Sequence, residues 1–373
     1  MPVTNGYQHI PWLLPNIIVA AKIRFFSTRP FFFVFLHSNM NEKKMIGLLG
    51  SGSWATAIVK ILLEKTGREI YWWVHEHDII EGLLSEQHNP RYLSEAHIDT
   101  PRIHLTDDIH DVVLHSDIIF VVIPSAFVAD AMSNLPPETL KGKHFVSAVK
   151  GIVPEHDCIV TDFLHDKLQV PQEHTAIISG PSHAEETARN RLTYLTVASS
   201  NEGFAKIVQN ILNCSYVKTT YSVDMLGIEY TAVLKNIYAI ATGICHGLGY
   251  GDNIIAVLIT NAVQEINRFL QQIEPMDMRQ LEQYAYLGDL LVTCYSQFSR
   301  NRTFGSMVGY GYTVKAAHLE MKMVAEGYYA VAGIEKMRAA LKLDMPIEQA
   351  VYKILYKGGT AETVMKKLVE NFK

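Results

Sequence analysis

A short apolar run, Met45-Ile46-Gly47-Leu48-Leu49, leads directly into Gly50-Ser51-Gly52-Ser53-Trp54-Ala55 and then into a helical pattern that lasts to Leu63. No other stretch limits the fold as strongly, because strand, glycine turn and helix occur in the order that a dinucleotide-binding unit requires. Gly50 permits the tight turn, Gly52 lets the backbone approach a pyrophosphate, and Ala55 allows the helix to pack closely on the strand. The helix N-terminus then offers free N–H groups and a positive dipole end to that anion.

The second strand, Glu69–Val74, ends at His75-Glu76. An acidic residue about 20 positions past the glycines accepts a bond from the ribose 2′-hydroxyl of NAD. Glu76 fits that role, but His75 at the strand tip would instead meet a 2′-phosphate, so NAD and NADP both stay open. Further strands are expected at Asp117–Ile123, His144–Ala148, Thr175–Ser179, Thr193–Ala198 and Tyr216–Thr220. Most are nearly continuous apolar or β-branched runs, as expected for a parallel sheet covered by helices on both faces. Three end in chemically suggestive loops: Pro124-Ser125, Lys150-Gly151 and Gly180-Pro181-Ser182-His183-Ala184-Glu185. Ligands of such sheets lie beyond the carboxyl ends of the strands, which brings Lys150 to the cofactor crevice.

After about residue 228 no convincing strand appears, and helical patterns cover 253–271, 277–286, 314–319, 326–341 and 346–355, with the chain closing at 360–371. The most telling of these segments begins at Glu229. Val233, Ile237, Ile240, Ala241 and Ile244 form one apolar stripe, and Lys235 is the only formally charged residue between Glu229 and Asp252. Its own side of the helix carries Thr231, Ala232, Tyr238, Ala239 and Thr242, none of them charged. A lysine is ordinarily solvated, whereas a buried ammonium is costly unless it meets a partner. A substrate in a cleft is one such partner. Ser299-Arg300-Asn301-Arg302 offers hydroxyl, guanidinium and amide donors within four residues, a set suited to a phosphate.

The expected architecture is therefore α/β: a Rossmann-type domain with a parallel sheet over residues 44–228, followed by an all-α domain over 229–373. Residues 1–43 contain no Asp or Glu before Asn41, and their apolar runs are short and broken by Lys22, Arg24 and Arg29. These runs fall short of the roughly 20 residues of a membrane span. The segment reads as a disordered or non-native extension, with the working protein starting at Met40 or Met45. With 373 residues, a net charge of −5 and a pI near 6.3, the chain has no electrostatic footprint for nucleic acid. Cys158, Cys214, Cys245 and Cys294 are scattered, and the pair His75 and His77 has no further ligand nearby, so no metal site is expected.

Six motifs in order, GSGSWATA (50–57), SAVKG (147–151), GPSHAEE (180–186), AVLKN (232–236), GDLLVTC (288–294) and SRNRTFG (299–305), resemble those of the NAD(P)-dependent glycerol-3-phosphate dehydrogenases. The similarity runs from about Lys44 to the C-terminus. The resemblance implies a Rossmann-type half joined to a helical half. It assigns catalysis to Lys235 as the acid/base residue, with Lys150 and Asp289 beside it. It places Gly180, Ser182, Ser299, Arg300 and Asn301, with the two lysines and Asp289, around a small phosphorylated substrate. It gives the cofactor, NAD or NADP, to Gly50, Gly52, Ser53, Trp54, Ala55, His75, Lys150, Ala184, Arg300, Val324 and Glu326. A homodimer that feeds phospholipid synthesis is the corresponding expectation, and with no targeting signal recognised in the sequence the cytosol is the default location. The alternatives are another two-domain dehydrogenase of Rossmann type and a catalytically silent NAD(H) sensor.

Overall fold

A computed structural model describes residues 44–64, 69–321 and 323–372. The extension expected over residues 1–43 lies outside the described residues. The strands are β1 (Ile46–Leu49), β2 (Ile70–Trp73), β3 (Ile103–Thr106), β4 (Ile118–Val121), β5 (His144–Ser147), β6 (Ile152–Val153), β7 (Cys158–Ile159), β8 (Thr175–Ser179), β9 (Thr193–Ala198) and β10 (Val217–Ser222). All but the β6–β7 hairpin join one sheet in the order β10-β9-β8-β5-β4-β1-β2-β3. Neighbours run parallel except β8 and β9, which pair antiparallel from Ile177 opposite Ala198 to Ser179 opposite Thr196.

From β1 the chain moves outward to β3 and then returns to β4 on the other side of β1, which opens a crevice where the strand order reverses. Strands β1, β4 and β8 are buried along their whole length. Their side chains alternate between two cores: Leu48 and Phe120 pack on one face, Leu49, Ile119 and Val121 on the other. Such two-sided burial is the reason these segments read as unbroken apolar runs.

Beyond β10 the elements are helical. The Met225–Gly247 helix runs through the middle of this half, and every residue from Gly227 to Cys245 is buried. A helix surrounded on all sides leaves no polar stripe for the sequence to display. At its start Glu229 accepts the Thr161 N–H at 3.2 Å and the Thr161 hydroxyl, tying it to the Val160–Asp166 helix of the sheet half. Farther along, it lies backbone to backbone against the Arg300–Gly309 helix. A Cβ on Gly243 would strike the Arg302 carbonyl oxygen, and one on Gly305 would strike that of Ile240.

Three local expectations require correction. Strand β3 and the β6–β7 hairpin were not anticipated. The first is a half-exposed edge strand with only two apolar residues, and the hairpin strands have two residues each. The helix expected at 277–286 does not form; turns lead instead to a π-helical turn at Tyr284–Gly288. There Arg279 turns inward and donates to Asp224 at 2.6 and 3.1 Å, and Asp224 in turn caps the Met225–Gly247 helix through the Gly227 N–H at 3.0 Å. A buried tertiary ion pair outweighs the weak local preference for helix.

Gly305→Ala is expected to lower unfolding free energy by roughly 1–3 kcal/mol, the usual cost of forcing a methyl group into close packing. Urea denaturation against the parent chain measures it.

Candidate active site

The carboxyl ends of β1, β4 and β5 face the helical half across a cavity of about 840 Å3. One end is built from the glycine turn. Gly50 has φ +123°, a conformation that glycine alone adopts without strain. The Ser53–Leu63 helix begins at Gly52 with no side-chain cap, so its first N–H groups are left for an anion. The Trp54 Nε1 is buried with no partner among the described residues, and Trp54 borders the cavity. Uncapped N–H groups and an orphaned indole donor at the rim fit a dinucleotide. Ser51 donates to Glu76 Oε2 at 2.5 Å and fixes that carboxylate at the end of β2. Asn89 locks the turn from behind, donating to the Ser51 carbonyl and to Thr56 Oγ1, each at 2.9 Å.

At the centre stand the two lysines. Lys235 Nζ bonds Asp289 Oδ1 directly and reaches Thr293 Oγ1 at 2.9 Å. Lys150 Nζ lies 3.4 Å from the other carboxylate oxygen, which also accepts from the Ser179 hydroxyl at 3.1 Å and the Gly180 N–H at 3.3 Å. Asn236, next to Lys235, donates to the Lys150 carbonyl at 2.7 Å and so locks the two lysine-bearing segments together. The side chains of Lys235 and Asp289 are 4% and 1% exposed, against 18% for Lys150.

Burial pushes the Lys235 ammonium down to about 7; Asp289 opposes that shift and Lys150 adds to it. Burial also works against ionisation of Asp289, but Lys150 and Lys235 together outweigh it and hold the carboxyl below its usual range. The result is a lysine that changes charge near neutrality beside a carboxylate that stays ionised.

Across the cavity, Ser299 caps the Arg300–Gly309 helix by accepting the Arg302 N–H at 3.3 Å. Asn301 accepts the Gly327 N–H through Oδ1 at 2.9 Å, which turns its amide group into the remaining donor. Glu326 accepts the Ser125 N–H at 3.0 Å and the Ser125 hydroxyl, closing the helical half onto the loop after β4.

A glycine cradle, a buried lysine at neutral pKa and a basic helix start thus share one cavity. A profile of the NAD-dependent glycerol-3-phosphate dehydrogenase N-terminus matches residues 45–205, and one of the C-terminus matches 224–366. The chain belongs to this family. It is 34% identical over 325 residues to glycerol-3-phosphate dehydrogenase [NAD(P)+] 2 of Salinibacter ruber, covering 87% of this chain and 94% of the relative. It is 32% identical over 329 residues to glycerol-3-phosphate dehydrogenase [NAD(P)+] of Staphylococcus haemolyticus, covering 87% and 97%. The crystal structure of glycerol-3-phosphate dehydrogenase from Coxiella burnetii superposes with a TM-score of 0.82 at 30% identity, over 88% of this chain and 99% of that one.

Of the residues expected at the site of a glycerol-3-phosphate dehydrogenase, Gly50, Gly52, Ser53, Trp54, Ala55, His75, Lys150, Ser182, Ala184, Lys235, Asp289, Ser299, Arg300, Asn301, Val324 and Glu326 border the cavity. Gly180 stands apart from them. It lies behind Asp289, and its N–H orients that carboxylate. Sequence reasoning passed over Thr293 and Asn236, which hold the lysine pair, and His183, which borders the cavity. Thr293 lies one helical turn after Asp289, a spacing that puts both on one face.

At pH 6 Asp289→Ala is expected to cost about 3–5 kcal/mol of stability, because it removes the partner of a buried lysine that must then either stay unpaired or give up its proton. Lys235→Met combined with Asp289→Leu should recover most of that loss in urea titrations.

Proposed function

We propose that this chain is an NAD(P)-dependent glycerol-3-phosphate dehydrogenase. It interconverts sn-glycerol 3-phosphate and dihydroxyacetone phosphate and supplies glycerol 3-phosphate for phospholipid synthesis. The observation that carries the reading is the buried Lys235–Asp289–Lys150 group in a cavity that joins the glycine turn to Arg300 and Asn301.

A bound dinucleotide would supply or accept the hydride at substrate C2. The chain's own groups do the rest. In reduction, negative charge grows on the C2 oxygen, and Lys235 as ammonium stabilises and then protonates it. In oxidation, neutral Lys235 takes the hydroxyl proton. With a pKa brought down to about 7 by burial, both forms are at hand near neutral pH. Lys150 adds a second positive charge at the same oxygen, and Asp289 keeps both ammoniums oriented. Arg300, the free amide of Asn301 and Ser299 hold the phosphate, which fixes C2 and disfavours unphosphorylated glycerol. Ser182 lines the substrate, with Gly180 acting through Asp289. Gly50, Gly52, Ser53, Trp54, Ala55, His75, Ala184, Val324 and Glu326 hold the dinucleotide, together with Lys150 and Arg300.

On this reading residues 44–228 form the dinucleotide-binding domain and 229–373 the substrate domain. A cytosolic homodimer is part of the proposal and rests on the family resemblance; light scattering of the purified chain tests the dimer. Among the described residues no helix is long and apolar enough to cross a membrane.

The decisive measurement is the initial rate of NADH and NADPH oxidation with dihydroxyacetone phosphate, using a chain that starts at Met40. Turnover supports the reaction, and binding of NADH without turnover sinks it. Lys235→Ala should lower kcat by about 10²–10⁴-fold, the usual worth of general acid/base help. Reduction needs the protonated lysine, so kcat/KM for the ketone should fall as pH rises through about 7, whereas oxidation of glycerol 3-phosphate should rise over the same interval.

The carboxylate of Glu76, held by Ser51 and facing the cavity, would accept the ribose 2′-hydroxyl and repel a 2′-phosphate. Arg91, the nearby cation, is already paired with Asp78 at 2.6 and 2.7 Å. Fluorescence titration should therefore show tighter binding of NADH than of NADPH, and Glu76→Gln should narrow the gap. Equal affinities in the parent chain would contradict the role given to Glu76.

A further inference from the structure

Dihydroxyacetone phosphate carries three polar groups: the phosphate, the C2 carbonyl and the C1 hydroxyl. The proposed reaction, on which this inference rests, matches the first to Ser299, Arg300 and Asn301 and the second to the two lysines. The third has no partner yet. Around Lys235, most polar side chains are already engaged within the fold. Ser182 Oγ donates to the Gly180 carbonyl at 2.9 Å, Asn236 Nδ2 to that of Lys150 at 2.7 Å, and Thr293 Oγ1 to that of Asp289 at 2.6 Å.

His183 is different. Its ring borders the cavity, yet its Nε2 is buried and meets no hydrogen-bond partner among the described residues. His183 borders the same cavity as Lys150, Lys235 and Asp289, three residues after Gly180, whose N–H bonds that carboxylate. Its ring lies 5.9 Å from that of Phe298, the residue before Ser299. Burial first, then the positive charge of Lys235, keeps the imidazole neutral, its pKa pushed down to about 4. A neutral imidazole has one N–H and one lone pair. The Val292 carbonyl, the backbone group that acts on the ring, can only accept, so it is served by the N–H. The lone pair is left without a protein donor. Open to the cavity beside the lysine pair, it lacks what a primary hydroxyl provides.

We propose that His183 is a specificity-determining residue that accepts the C1 hydroxyl of the substrate and so selects a hydroxymethyl ketone phosphate over a methyl ketone phosphate. A buried acceptor left unmet by the wrong substrate discriminates more strongly than shape alone.

The test compares dihydroxyacetone phosphate with hydroxyacetone phosphate, which lacks only that hydroxyl. Two readouts are taken: kcat/KM with NADH, and the Kd of each ketone by calorimetry in the presence of NAD+, with which the ketones do not react. The parent chain should favour dihydroxyacetone phosphate by about ten-fold or more, the worth of roughly one hydrogen bond. His183→Phe keeps the ring and its packing on Phe298 but removes the lone pair. It should lose about ten-fold on dihydroxyacetone phosphate, change little on hydroxyacetone phosphate, and bring the ratio near one. His183→Gln, which restores an acceptor oxygen, should recover part of the preference. An unchanged ratio in His183→Phe overturns the proposal, as does an equal loss on both ketones in both variants, which would mark a structural role. The calorimetric comparison stands without turnover, so failure of the reaction itself and failure of the His183 assignment are read separately.

Discussion

One carboxylate shared between two ammoniums sets the terms for the rest of the molecule. Asp289 and Lys235 are almost completely withdrawn from water, where an unpartnered charge would be prohibitively costly. Their ionisation therefore depends on close geometry contributed from separate parts of the fold. The end of β8 supplies the Ser179 hydroxyl and Gly180 N–H, and the loop after β5 supplies Lys150. The Met225–Gly247 helix supplies Lys235, and the short Asp289–Tyr295 helix supplies Thr293 and Asp289 itself. These four segments are far apart in sequence, so the group forms only when the sheet half and the helical half are docked. The same docking makes the cavity, since its cradle comes from one half and its basic helix start from the other.

The helix that carries Lys235 packs its side chains into the core and also makes close backbone contact with a neighbour. Gly243 and Gly305 let it approach the Arg300–Gly309 helix until their backbones touch. Lys235 and Asn301 are thereby carried on two rods with little freedom to slide, as a packed interior permits few alternative arrangements. Glu229 pins the start of the same helix to the sheet half through Thr161. A reacting carbon held between a phosphate anchor on one rod and an acid on the other needs that rigidity, because small displacements cost much of the benefit of positioning.

The parts of this arrangement that follow from local chemistry were legible in the sequence. Gly50, Gly52 and Ala55 imply a strand–turn–helix because few other backbones need small residues at those places. The buried strands β1, β4 and β8 appear as unbroken apolar runs, and Lys235 stands out as a single charge in an apolar helix. What escaped reading depends on distant partners. Strand β3 has too few apolar residues to announce itself, and its place is set by pairing with β2. The absent helix at 277–286 is undone by the Arg279–Asp224 pair, 55 residues apart in sequence. Thr293 and Asn236 look like ordinary helix residues until the lysines they hold are in place, and Gly180 reads as a substrate contact until its N–H is found on Asp289.

The charge at Asp289 gains meaning from the other buried carboxyls. Burial drives Glu229 up to about 8, Glu265 and Asp162 to about 7, and Glu348 to about 9. Those groups meet neutral donors or other carboxyls and at most a single basic side chain each, such as Arg338 at 3.6 Å from Glu348, and the low dielectric favours their protonated forms. Asp289 is as deeply buried and yet shifts the other way, because two ammoniums face its two oxygens. Lys235, closest to it, is at the same time brought down toward neutrality, since its own burial and Lys150 outweigh the attraction of a single carboxylate. A purely structural ion pair would be balanced, with one anion for one cation and both firmly charged. Here one anion serves two cations, and the excess proton on the more deeply buried lysine is the one most easily given up. That imbalance, in a cavity open to a ligand, is what separates a proton donor from a strut.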